Sequence, residues 1–128
     1  MTKKLSQNHK PTAEGIDQLL ELIGLFREQH PMMPMQMAHT FLLIARYPGI
    51  RASELIDITG LSQPSVSRNV AALTKLDSNG SSGLSLIKRT LCPEDPRVHR
   101  LKLTKKGKQF LSEITGVTQE NNGLFDNL

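Results

Sequence analysis

Residues 53–76, SELIDITGLSQPSVSRNVAALTKL, decide how the rest of the chain is read. Two short apolar-patterned runs are separated by Gly60-Leu61-Ser62. The first, Ala52 to Thr59, is a short helix expected to carry Leu55, Ile56 and Ile58 inward. Ser62 then caps a second helix, in whose first turn Pro64 is tolerated. Val66, Val70, Leu73 and Leu76 form the apolar stripe of that helix. At 100° per residue, Arg68 points the other way. The start of the helix, SQPSVS, is almost uncharged and built from small hydroxyls and one amide. Such a surface is poor for core packing and suits close approach to a partner rich in hydrogen-bonding groups.

Outward from this pair the chain continues in helical pattern on both sides. Thr12 is expected to cap a first helix, with Glu14 and Asp17 suiting the dipole at its start. Ile16, Leu19, Leu20, Ile23 and Phe26 form its apolar face, widened by Leu22 and Leu25. His30-Pro31 ends it. PMMPMQM is a linker into a second helix, which runs to about Arg46 and is expected to bury Met37, Phe41, Leu42, Ile44 and Ala45. Pro48-Gly49 stops it. Beyond Leu76, DSNGSSG reads as a turn. Two strand-like runs follow, Leu84–Leu91 and Val98–Leu103, with CPEDPR as their tip and a register step expected near Arg100. Thr104 caps a last helix expected to end at Gly116. The domain is thus expected over 12–116, with the helix-turn-helix at 52–76, the hairpin at 84–103 and the last helix at 104–115. Tails flank it at 1–11 and 117–128. The fold class is mainly α with a small two-stranded β-hairpin, a winged helix-turn-helix.

Composition narrows the function. The 128 residues make one domain by length, with 38% hydrophobic and 22% charged residues, ordinary for a globular chain. No apolar run reaches the roughly 18 residues of a membrane span. No apolar segment follows the two N-terminal lysines as in a secretory signal, and the single Cys92 forms no internal disulfide. A cytoplasmic protein is expected, so the sequon at Asn79-Gly80-Ser81 is read as chance. The net charge of +4 is unevenly spread. Between Ser62 and Lys108 there are ten basic and three acidic residues, +7, against six and nine elsewhere, −3. This segregation suits a face built for a polyanion, and equally a solvated lysine-rich surface.

The helix beginning at Ser62 has the chemistry to read duplex DNA. Gln63 can pair with adenine and Arg68 with guanine. Ser62, Ser65 and Ser67 can donate to phosphates beside the free N–H groups of the helix start, where Pro64 permits close approach. Lys75 is placed for a phosphate. In the hairpin, Lys88, Arg89, Arg100 and Lys102 lie along strands that need no charge for pairing. Arg97 at the tip suits a narrow minor groove. Asp95 is expected to orient it, or a neighbouring arginine, by a charge-assisted bond. The alternatives are a capped surface helix and a solvent-exposed hairpin with a weak Asp95–Arg97 pair.

FLLIARYPGIRASELIDITGLSQPSVSRNVAALTKL followed by DPRVHRLKLTKKG resembles the MarR family of bacterial winged-helix regulators. Asp95, Arg97, Leu103, Thr104 and Gly107 match its D-x-R…L-T-x-x-G pattern. The resemblance covers roughly Pro34 to Gly107. It implies double-stranded DNA as partner and a homodimer intertwined through the N- and C-terminal helices. It further implies recognition helices in successive major grooves, with Arg97 in the minor groove. Two departures stand out. DSNGSSGLSL is longer than the family's usual link into the wing. The last helix, at about 12 residues or ~18 Å, is short for a dimerisation helix, which shifts the interface toward the first helix and Leu124-Phe125. A compact form with an extended link resembles versions in phages and mobile elements.

Other features carry less. Cys92 sits at the wing rather than where redox-sensing relatives carry theirs, and reads as structurally neutral. His9, His30, His39 and His99 lack metal-ligand spacing, and His99 reads as a phosphate neighbour or an exposed wing residue. No metal or cofactor is expected, and no catalytic constellation stands out. PMMPMQM reads as core ahead of an adaptable pocket for a small-molecule effector. The rival functions are a protein-interaction module that blocks a partner factor and a replication or partition DNA-binding protein.

Overall fold

A computed structural model describes residues 10–75, 80 and 82–120. Five helices and one antiparallel hairpin follow in the order α1 (Ala13–Gln29), α2 (Met35–Arg46), α3 (Ala52–Thr59), α4 (Gln63–Leu73), β1 (Ile87–Cys92), β2 (Asp95–Leu103) and α5 (Lys105–Glu120). Local chemistry sets most of these boundaries. The Thr12 hydroxyl accepts the Gly15 N–H at 2.9 Å to start α1. Gly60 closes α3 at φ +73°, a left-handed conformation that costs a residue without a side chain little. Ser62 caps α4 by accepting the Ser65 N–H. Thr104 Oγ1 accepts from Gly107 N at 3.0 Å and donates to the Ser85 carbonyl. The start of α5 is thereby fastened to the segment that leads into the wing.

Three phenylalanines hold the helices together. Phe26 of α1, Phe41 of α2 and Phe110 of α5 meet with ring centroids 5.2–6.3 Å apart, two of the pairs edge-to-face. Ile44, Leu55, Val66, Val70 and Leu73 continue this core into the helix-turn-helix, and Leu86, Ile87 and Leu101 carry it under the hairpin. The base of the hairpin is extended by a bridge from Ile50 to Leu101. There the N–H of Leu101 donates to the Ile50 carbonyl and the N–H of Gly49 to the Leu101 carbonyl. Gly107 packs so closely that a Cβ would collide with the Leu86 carbonyl, a physical reason for glycine at that place in the motif.

Several expectations fail in instructive ways. Of the α1 stripe only Phe26 is buried; Ile16, Leu19, Leu20 and Ile23 are 50–63% exposed, while Leu22 and Leu25 pack on the core. Leu42 and Ile58 are exposed, and Thr40 is buried in α2 because its hydroxyl donates back to the Gln36 carbonyl. The first strand begins at Ile87, not Leu84, because Leu84 and Leu86 hydrogen-bond to the carbonyls of Ala72 and Leu73 at the end of α4. The second begins already at Asp95, so the tip is only Pro93-Glu94. Its register step lies elsewhere than Arg100: Leu91 pairs with His99 but Cys92 with Asp95, so Pro96, Arg97 and Val98 bulge from the ladder. Gly116 does not stop the last helix. Val117 extends the stripe of Phe110 and Ile114 and is buried, and its carbonyl accepts from Gln18 Nε2 of α1 at 3.3 Å. The expectations for Leu76, for most of DSNGSSG and for Leu124-Phe125 fall outside the described residues.

Candidate nucleic-acid interface

The exposed side of α4 carries Ser62, Gln63, Pro64, Ser67 and Arg68, with Ser65 half-buried. Its opposite side packs Val66, Val70 and Leu73 into the core. The serines do more for the helix than their exposure suggests. Ser62 Oγ accepts the Ser65 N–H at 3.2 Å and donates to Ser65 Oγ at 3.0 Å, and Arg68 Nη2 lies 3.5 Å from the same Ser65 oxygen. The first turn is thus a connected hydroxyl–guanidinium surface with Gln63 protruding from it. Lys75 lies beyond the end of the helix. It lines a shallow depression with Lys88, Arg89, Lys105 and Lys106, where Lys106 Nζ is held by the Leu84 carbonyl at 2.8 Å.

Between α4 and the wing runs a groove lined by Arg51, Ser53, Ser67, Arg89, Arg97 and His99 above an apolar floor of Val70 and Leu101. No carboxylate lines it. The bulge in β2 presents Arg97, whose side chain is 91% exposed. Its Nε donates to Asp95 Oδ1 at 3.1 Å, its Nη2 reaches Asp95 Oδ2 at 3.4 Å, and its backbone N–H also meets Oδ1. The Arg97 guanidinium, then its N–H, hold the Asp95 carboxyl below the usual aspartate range. The bond expected between these two residues is therefore present, and it fixes the guanidinium at the wing.

The hairpin divides the other predicted cations. Side chains alternate between the faces of a strand, and the pairing puts Lys88 opposite Lys102 and Thr90 opposite Arg100 on one face. Arg89 lies opposite Leu101 on the other, with the groove. Arg100 is half-buried and donates through Nη1 to the Gly49 carbonyl at 3.2 Å, so it braces the hairpin against the end of α2. Lys88 and Arg100 therefore do not join Arg89 and Arg97 in the groove. The Cys92 thiol is buried at the tip, where the N–H groups of Asp95 and Glu94 lower its pKa.

Two contributors escaped the sequence reading. Arg51 precedes α3, and its N–H donates to Glu54 Oε1 at 2.9 Å; a glutamate at the third helical position was the available signal. Glu54 is held below its ordinary pKa first by that N–H. Asn69 is buried on α4 and its Nδ2 lies 3.5 Å from Gln36 Oε1, tying the helix to α2; its place among apolar neighbours gave no such hint. Among the described residues no cluster of His, Cys, Asp or Glu could hold a metal ion, and no helix is long and apolar enough to cross a membrane.

No protein-family model matches the sequence, and neither does any curated protein. Solved structures do share the architecture. A MarR-like transcriptional regulator from Thermotoga maritima superposes with a TM-score of 0.62 at 22% identity, over 94% of this chain and 84% of that one. FabT of Streptococcus pneumoniae, solved in complex with DNA, gives 0.60 at 19% identity, over 89% and 75%. MarR gives 0.57 at 20% identity, over 98% and 82%. The fold of this chain is the winged helix-turn-helix that these MarR-type structures share.

Proposed function

We propose that the chain is a sequence-specific duplex-DNA-binding protein that acts as a dimeric transcriptional regulator in the bacterial cytoplasm, and not as an enzyme. The observation that carries this is the carboxylate-free groove between α4, at Ser67 and Val70, and the wing, with Arg51, Arg89 and Arg97 along it. In this reading Gln63 and Arg68 meet base edges in the major groove. Ser67, Arg51, Arg89 and Lys75 meet phosphates, and Arg97, held by Asp95, enters the minor groove. Ser62, Pro64 and Ser65 shape the close approach, and Ser65 keeps a hydroxyl proton for a phosphate. Lys88 contributes charge from the other face, while Arg100 serves by holding the hairpin in place. That FabT was solved with DNA supports the reading through its fold.

The outward apolar face of α1 supports the dimer. Ile16, Leu19, Leu20 and Ile23 are half-exposed or more along one helix face beside α5, a surface that a second copy would cover. The test is selection of bound duplexes from a random library at near-physiological salt. An enriched motif with two related half-sites about one helical turn apart is expected. Affinity should also fall steeply as salt rises, since phosphate contacts release counterions. A folded protein that enriches no motif would leave the protein-interaction role in possession.

A further inference from the structure

Four of the five methionines in the chain fall within HPMMPMQMAH, residues 30–39, framed by His30 and His39. The core accounts for Met37, which is buried, and in part for Met33, which packs against it. Met32 and Met35 are 81% and 83% exposed, more than any other large apolar side chain described. Met33 is half-buried. An exposed aliphatic surface would be served equally by leucine, which this chain uses freely on α1. The feature that needs explaining is thus the thioether rather than the hydrophobicity.

Met32, Met33 and Met35 line a single hollow with Ile23, Phe26 and Ala38, between the end of α1 and the start of α2. The turn that carries them is braced: Arg27 Nε donates to the Pro31 carbonyl at 3.0 Å, and the Met32 N–H donates to His30 Nδ1 at 3.3 Å. Pro31 and Pro34 on either side limit its backbone freedom. His39 stands one helical turn after Met35, at the spacing that shares a helix face, and is exposed. No carboxylate lines the hollow, and Arg27 does. That lining disfavours hard dications, which take oxygen donors and depend on opposite charge. Soft d10 monovalent ions bind thioether sulfur and tolerate the missing anion.

We propose that the thioethers of Met32, Met33 and Met35 form a binding site for a soft monovalent metal ion, Cu(I), with Ag(I) as its chemical equivalent. Three sulfurs give the low coordination number that such ions accept. The site does not depend on the DNA-binding reading, because it lies on α1, α2 and their connection.

The test is a titration of the full chain with Cu(I), without DNA, under anaerobic reducing conditions and in competition with a chromogenic Cu(I) chelator. The chain should withdraw one equivalent. M32L/M35L preserves the apolar surface and removes two sulfurs; it should weaken binding by roughly tenfold or more while leaving the circular dichroism and melting profile unchanged. Should that double variant fail to fold, Met32→Leu alone, at a largely exposed side chain, gives the same comparison. Cys92→Ser should bind as the parent does. Failure of the parent to compete, equal binding by the leucine variant, or loss of binding in Cys92→Ser would each overturn the proposal.

Discussion

The first and fourth helices carry apolar stripes of similar regularity, yet the structure treats them oppositely. In α4, Val66, Val70 and Leu73 are buried and Ser62, Gln63, Ser67 and Arg68 face out. In α1, Ile16, Leu19, Leu20 and Ile23 face out, and contact with the core passes to Leu22, Leu25 and Phe26. Periodicity reports that a helix has a face to hide; it does not report whether the same chain hides it. The difference separates a helix that buries its stripe within one chain from one that leaves its stripe exposed.

The largest expected effect tests where that division runs. Phe110 touches both Phe26 and Phe41, so Phe110→Ala should destabilise the fold by about 3–5 kcal/mol, read by chemical denaturation. A loss below about 1 kcal/mol would mean that the aromatic cluster does not couple α1 to the rest. Next, L19E/L20E places two carboxylates on the outward face. Assembly should weaken by about 3 kcal/mol or more, giving a monomer in sedimentation, while the monomer itself melts nearly as before. A double variant that sediments as the parent does would move the dimer interface off α1.

On α4 the expected effects are smaller and concern affinity rather than folding. Arg68→Ala should cost about 1–3 kcal/mol in DNA binding and relax preference at one base position. If specificity is intact, the outward side of α4 is not the reading surface and its contrast with α1 loses its meaning. The smallest effect is at the wing tip. Because Asp95 is held below the usual carboxylate range, its pair with Arg97 is complete above an ordinary aspartate pKa of about 4 and is lost as pH falls through the lower folded value. Carboxyl NMR should show Asp95 titrating low and returning upward in Arg97→Ala; identical titrations would mean that the pair is not maintained in solution.

The helix order, the Thr12, Ser62 and Thr104 caps, the buried side of α4 and the Asp95–Arg97 bond were legible in the sequence, because each rests on neighbours within a few positions. Most of what escaped depends on distant partners. Arg100 looks like any wing cation until the Gly49 carbonyl is set beside it. The end of α5 depends on the burial of Val117 by other elements, which outweighs a glycine's helix cost of about 1 kcal/mol. Asn69 joins α4 to α2 only through the fold, whereas Arg51 bonds Glu54 three positions on and was missed despite that local signal. The bulge at Pro96–Val98 follows from a two-residue tip, which no residue count of the two runs could give.

The segment Gly83–Leu86 has a consequence for how this protein tolerates change. The N–H groups of Gly83, Leu84, Ser85 and Leu86 donate to the carbonyls of Lys75, Ala72, Thr74 and Leu73, as if splinting the wing's approach to the end of α4. A Cβ at Gly83 would collide with the Thr74 carbonyl, so the splint lies flat against its support. The two ends of the intervening stretch are therefore clamped together independently of what joins them. What joins Lys75 to Gly83 therefore does not set the aim of the wing. Residues could be added or removed between Lys75 and Gly83, or a reporter peptide spliced in there, without re-aiming Arg97.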